Sequence, residues 1–173
     1  AGQSGAPAEQ PRRYVLTPDS TIGFIGSKVT GSHEGGFDHF SGHFTVLGEQ
    51  LHGDDHLVVI DMNSAWADHP KLLTHLKSED FFDVAQFPEA RFKVTSVTAN
   101  DDGSYQVAGD FTLHGVTMNI AFPATVSHDG EAIRITSEFD INRFDFDIRY
   151  PGKQDDLIRE EVVIQLDLLA EPA

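Results

Sequence analysis

At 173 residues with 39% hydrophobic side chains, the chain has the size and composition of one globular domain, able to bury a core or enclose a ligand. Its formal charge of −16, with twelve Lys and Arg scattered along it, argues against nucleic acid and against electrostatic docking on an anionic membrane. The absence of cysteine excludes disulfides, thiolate metal sites and a cysteine nucleophile, and no apolar run reaches the about 18 residues of a spanning helix.

In chain order, residues 1–13 read as a flexible leader, small, polar and Pro-containing, and a single domain is expected over 14–173. A start at Ala-Gly is what signal-peptide cleavage leaves, so a periplasmic or secreted location is expected. Strands are predicted at Thr21 to Val29, at Phe37 to Leu51 with a kink at Gly42, and at Leu57 to Met62. Gly35-Gly36 reads as the turn between the first two. Asp68 or His69 is placed to cap a short helix that Pro70 opens, and Leu72, Leu73 and Leu76 give it one apolar face. That helix ends before Phe81 and Phe82, which anchor it.

Beyond it, Ala90, Phe92 and Val94 alternate as in a half-buried strand. Three turn signals follow: Asn100-Asp101-Asp102-Gly103, His114-Gly115 and His128-Asp129-Gly130. They separate strands predicted at Phe87 to Thr98, Tyr105 to Leu113, Val116 to Val126 and Ala132 to Asn142. A last strand covers Arg159 to Leu169. The fold class that follows is mainly β, an antiparallel barrel of eight strands with one inserted helix near residues 69–80. Closure removes exposed edges, and a barrel of this size can hold one small ligand.

These motifs resemble the YceI-like family, the polyisoprenoid-binding periplasmic proteins with an extended lipocalin-like barrel. The resemblance runs from Tyr14 to Ala170. It rests on Asp19 to Phe24, Gly36-Phe37, Phe40-Ser41-Gly42, the junction from His75 to Pro88, Gly109 to Thr117, and Ile141-Asn142-Arg143. Three departures are that Leu73-Thr74 stands where relatives often have an Arg-Asp pair, Lys28 where they commonly have histidine, and Asp147 where they commonly have glycine. The resemblance implies an apolar tunnel holding an isoprenoid quinone, a polyprenyl phosphate or a related lipid, with the protein acting as carrier, store or sequestering protein.

Thirteen phenylalanines suit such an interior. Phe24, Phe44, Phe92, Phe111 and Phe122 sit on separate predicted strands and are expected to line the tunnel as a set, joined by Phe82. Lys28, Arg143 and Arg149 are the cations placed to meet a polar headgroup, with His33 and His75 the histidines that could contact it. The other histidines read as solvated or hydrogen-bonding. His52 and His56 are four apart, but in a Gly-Asp-Asp loop, where that spacing does not put both on one helical face. No metal or cofactor motif is present, and no G-x-S-x-G elbow supports nucleophilic catalysis. A lipid-binding protein that is not an enzyme, with no stable membrane insertion, is therefore expected. A metal- or histidine-dependent enzyme acting on a lipid-like substrate in the same cavity is the alternative, and an acidic interaction module is a third reading. Oligomeric state stays open, a homodimer included.

Overall fold

The computed structural model describes residues 10–48, 50–154 and 156–173. Eight antiparallel staves form the barrel. β1 comprises Arg12–Leu16 and Thr21–Lys28, β2 Gly31–Phe37 and Phe40–Leu47, and β3 Leu57–Asp61 and Ala65–Ala67. β4 is Glu89–Ala99, β5 Ser104–Leu113, β6 Val116–Asp129, β7 Ala132–Asn142 and β8 Glu161–Pro172. Each pairs with the next, and β8 returns to β1 along both of its segments. Most of the leader, residues 1–9, lies outside the described residues. Its end does not stay free: Arg12 and Arg13 already pair with Val46 and Thr45.

The breaks in β1, β2 and β3 divide the barrel in two. At one end all eight staves hydrogen-bond around the ring. At the other, Ala65–Ala67 stays with β2 and leaves β4, and helix α1 (Pro70–Lys77) is inserted beside it. The β6–β7 ladder also stops short, at Thr125 opposite Thr136. Pro123 stands just past that point with no N–H to donate, and Ser137 donates its hydroxyl to the Pro123 carbonyl instead. The second end is thus the open one.

Period-two alternation turns Tyr105, Val107 and Leu113 of β5, Phe122 and Ala124 of β6, and Leu168 and Ala170 of β8 into one core. At the closed end, Tyr14, Phe44, Val46, Phe92, Tyr105 and Phe122 fill the lumen. Phe92 and Phe122 lie 5.3 Å apart, and Phe122 stacks on Phe139 at 4.2 Å. Gly109 makes this packing possible, because a Cβ there would fall 2.6 Å from the Phe92 ring.

Gly35 and Gly36 are not a turn. Both are buried within Gly31–Phe37, and the chain reverses at Val29 and Thr30 instead. Their glycine character serves close approach: a Cβ on Gly35 would collide with the Phe24 ring, and one on Gly36 would sit 2.7 Å from Trp66 Nε1. The departure at Asp147 has a backbone reason as well. Asp147 ends the short 3-10 turn Arg143–Phe146 with φ 59°, left-handed geometry that glycine meets freely and aspartate tolerates.

His56 belongs to the closed end. It is 1% exposed, not a solvated loop residue. Its Nδ1 accepts from the Thr45 N–H at 3.2 Å and its Nε2–H donates to the Gly53 carbonyl at 3.0 Å, so the ring is held neutral. Burial pushes its pKa below the ordinary 6.5. The unfolded chain therefore binds a proton first, and stability, full above pH 6.5, declines as pH falls below it toward the lower folded value. The slope reaches at most about 1.4 kcal/mol per pH unit. His56→Gln, which can accept and donate at the same two partners, is expected to flatten this slope. Urea midpoints at about pH 7 and about pH 5 measure it. Asp55 is lowered chiefly by the His43 hydrogen bond, Asp68 by the Glu34 N–H and Asp102 by the Ser104 hydroxyl. Their contributions are lost only as pH falls below 3.8, a separate window.

Candidate ligand cavity

The open half of the barrel encloses a cavity of about 640 Å³, within the range of small-molecule sites. Its walls are apolar. Phe24 projects from β1, Phe37 from the end of the first β2 segment, Ile60 from β3 and Met62 from the 3-10 turn that breaks it, and Phe111 and Leu113 from β5. Ile141 comes from β7, Val162 and Ile164 from β8, and Leu72 and Leu76 from the helix. Phe24, Phe37 and Phe82 form a three-ring cluster with centroids 5.6–5.9 Å apart. Such contacts hold the rings in place.

Helix α1 roofs this space because its ends are tied. His69 is the N-cap, its Nδ1 accepting from the Lys71 N–H at 3.2 Å, with Pro70 in the first turn. Asp68 does other work: it accepts from the Glu34 N–H at 3.0 Å and from His33 Nδ1–H at 2.9 Å, fastening the helix start to β2. At the far end His75 Nε2–H donates to Asp80 at 2.9 Å, and the His75 ring meets Tyr150 at 4.7 Å and Phe81 at 4.9 Å. The polar wall groups, Lys28, His33, Glu34, His69, Lys71 and His75, are half-buried or exposed and form the rim.

Of the residues expected to meet a ligand, Phe24, Lys28, His33, His75, Phe82, Phe111 and Arg143 line this cavity. Phe44, Phe92 and Phe122 do not. They point inward as their strands require, but at the closed end, where they are packing. Phe92 touches the site only indirectly, through Phe111 at 6.5 Å. Arg143 is 3% exposed, and its guanidinium is committed to backbone. It donates to the carbonyls of Arg159 at 2.9 Å, Ile148 at 2.9 Å and Ile158 at 3.2 Å. Burial lowers its pKa from the ordinary arginine value. Sequence reasoning named none of the aliphatic lining residues, such as Ile60, Leu113, Ile141, Val162 and Ile164 of regular strands, because inward alternation does not separate wall from core; it also missed Phe37, Met62, Ile148, Tyr150 and Ile158, at strand ends and breaks and in the β7–β8 connection.

Histidines do not converge. His33 and His75 each pair with their own aspartate, His43 bridges Arg13 and Asp55, and His114 donates to the Phe146 carbonyl. Among the described residues no three His, Asp or Glu side chains are grouped to hold a metal ion.

Known proteins share this architecture. A UPF0312 protein of Pseudomonas putida is 31% identical over 151 residues, 80% of this chain and 78% of the relative. Another from Pseudomonas savastanoi is 31% identical over 153 residues, covering 80% of this chain and 78% of its own. The crystal structure of BcnA from Burkholderia cenocepacia superposes with a TM-score of 0.80 at 20% identity, covering 89% of this chain and 98% of that one. A polyisoprenoid binding domain from Saccharophagus degradans superposes with a TM-score of 0.75 at 19% identity, covering 95% and 100%. The YceI-like domain model matches residues 14–170, from the first stave to the last, and the chain belongs to the YceI-like family.

Proposed function

We propose that the chain binds one long-chain isoprenoid, a quinone or a polyprenyl phosphate, and serves as its carrier, store or sequestering protein. The observation that carries this is the division of the cavity into phenyl and aliphatic walls and a half-buried to exposed polar rim, the buried Arg143 in the wall being committed to backbone carbonyls. A prenyl chain transferred from water gains about 0.8 kcal/mol per methylene-sized group, while its headgroup keeps polar company. The neighbour named for polyisoprenoid binding supports the ligand class. A periplasmic setting, implied by the family, belongs to the same proposal. Mass spectrometry of an organic extract of the protein purified from bacteria tests it: a lipid close to one per barrel is expected. A clean extract, together with no binding of quinone, prenyl phosphate or fatty-chain probes, overturns it.

Headgroup choice is assigned to the rim. Lys28 is the lysine on the β1 side of the cavity, paired with Gly31 of β2 and two residues beyond Gly26, the partner of His33, which also lines it. Lys28→Met is expected to weaken a prenyl phosphate by about 1–3 kcal/mol, the scale of a charge-assisted hydrogen bond, and a neutral quinone far less. Paired titrations of the two ligands measure the difference. Equal losses would mean that Lys28 supports the barrel instead.

A further inference from the structure

Val29, 73% exposed, and Leu157, 51% exposed, are the two most exposed large apolar side chains among the described residues, and they are neighbours. Val29 is at the β1–β2 turn, and Leu157 closes the short ladder of Gly152–Lys153 with Asp156–Leu157. The Val29 N–H donates to the Leu157 carbonyl at 3.2 Å and the Arg159 N–H to the Ser27 carbonyl at 2.8 Å, with Lys28 opposite Ile158 between them. Backbone hydrogen bonds thus hold the two tips side by side. Scattered apolar side chains on a surface are ordinary, but a fixed pair is not. This pair stands on the lip of the cavity, since Ser27, Lys28, Gly152 and Ile158 line it.

The charge is uneven in the same sense. The charged residues that line the cavity include Lys28, Lys71 and Arg143, three of the twelve Lys and Arg in the chain. Against them stands Glu34, of twenty-eight acids. The remainder of a chain of net charge −16 is therefore more acidic still. Near a phosphate-bearing surface such a molecule turns its mouth inward and keeps its body away.

We infer that the Val29 and Leu157 tips dock the cavity mouth on a lipid bilayer, so that a lipophilic ligand passes between membrane and cavity during contact. The inference rests on the lipid-binding reading of the cavity. Two side chains entering the headgroup–acyl boundary bury little area, so the contact is brief and reversible, and the barrel does not insert.

The test is transfer of pyrenyldecanol from the loaded protein to vesicles of phosphatidylethanolamine with a minority of phosphatidylglycerol, followed by stopped-flow fluorescence. A wild-type rate proportional to vesicle concentration is expected, because collision limits transfer. The double variant Val29→Ser, Leu157→Ser changes no cavity wall; it should transfer at least about fivefold more slowly, with its affinity for the probe in vesicle-free buffer unchanged. A wild-type rate independent of vesicle concentration, or equal rates for the two proteins, overturns docking. If neither protein takes up the probe, the lipid-binding reading fails, and flotation of the unloaded proteins with the same vesicles decides docking: wild type enriched over the variant supports it, equal or absent flotation overturns it. A wild-type dimer that the variant dissolves, with transfer unchanged, would assign the tips to a second copy and also overturn it.

Discussion

Arg143→Met is expected to lower folding stability by about 3 kcal/mol, seen as a lower urea midpoint at unchanged slope. The guanidinium is the donor to three carbonyls, those of Ile148, Ile158 and Arg159, which belong to the connection between β7 and β8. Methionine fills similar space but donates nothing, and each carbonyl left unpaired costs about 1 kcal/mol or more. Relief of the desolvation of a buried cation offsets part of this, yet three acceptors lose their partner at once. Arg143→Lys keeps the charge but not the fork that reaches separate carbonyls, so it should recover less than half of the loss. Ile148, Tyr150, Gly152 and Ile158 of the same connection line the cavity, so faster ligand release should accompany the instability. A variant of normal stability that loses only anionic ligands would make Arg143 a headgroup contact instead.

Phe122→Ala is expected to cost about 3–5 kcal/mol while leaving the ligand affinity of the folded protein within about twofold. Its ring is clamped between Phe92 at 5.3 Å and Phe139 at 4.2 Å in the filled end of the barrel, where nothing collapses into the space it leaves. Phe82→Ala should do the reverse. Its ring is half-buried, with one edge on Phe24 at 5.7 Å and another side against the cavity. Truncation there should cost about 1–2 kcal/mol of stability but about tenfold or more in affinity for a long-chain probe. Denaturant midpoints and probe titrations on the two variants measure both quantities. If Phe122→Ala weakens binding as much as Phe82→Ala does, the cavity extends into the closed end.

The antiparallel barrel was legible because its signals are local. Asn100 to Gly103, His114-Gly115 and the turn at Gly130 require positive φ, and Gly103, His114, Gly115 and Gly130 adopt it. Between those turns, period-two alternation fixes which face of β5, β7 and β8 is wet, and a one-residue slip would expose the core. Helix α1 was marked by Pro70 and the leucine spacing, although only tertiary contact chose His69 over Asp68 as its cap, by giving Asp68 to His33 and Glu34.

Position along the barrel axis is not local. Phe24, Phe44, Phe92, Phe111 and Phe122 all alternate inward, but whether a ring faces a cavity or other rings depends on stave stagger and on what the opposite staves present at that height. Phe92 finds Phe122 and the missing side chain of Gly109, while Phe24 finds Gly35 and the open space beneath the helix. Gly35-Gly36 was ambiguous for a related reason: glycine serves equally for a turn and for close approach, and only the rings of Phe24 and Trp66 packed on it tell the two apart. Arg143 and His56 show the limit most clearly. Each has a residue type suited to chemistry, and each is occupied by backbone groups: those of Ile148, Ile158 and Arg159 for the arginine, and those of Thr45 and Gly53 for the histidine. Hydrophobic patterning carries no record of such partners, because a side chain bonded to a distant carbonyl leaves no period in the chain. The sequence by itself thus determined the stave count, the turns and the apolar faces, and tertiary packing alone decided which of the inward rings surround empty space and that Arg143 is spent on backbone carbonyls.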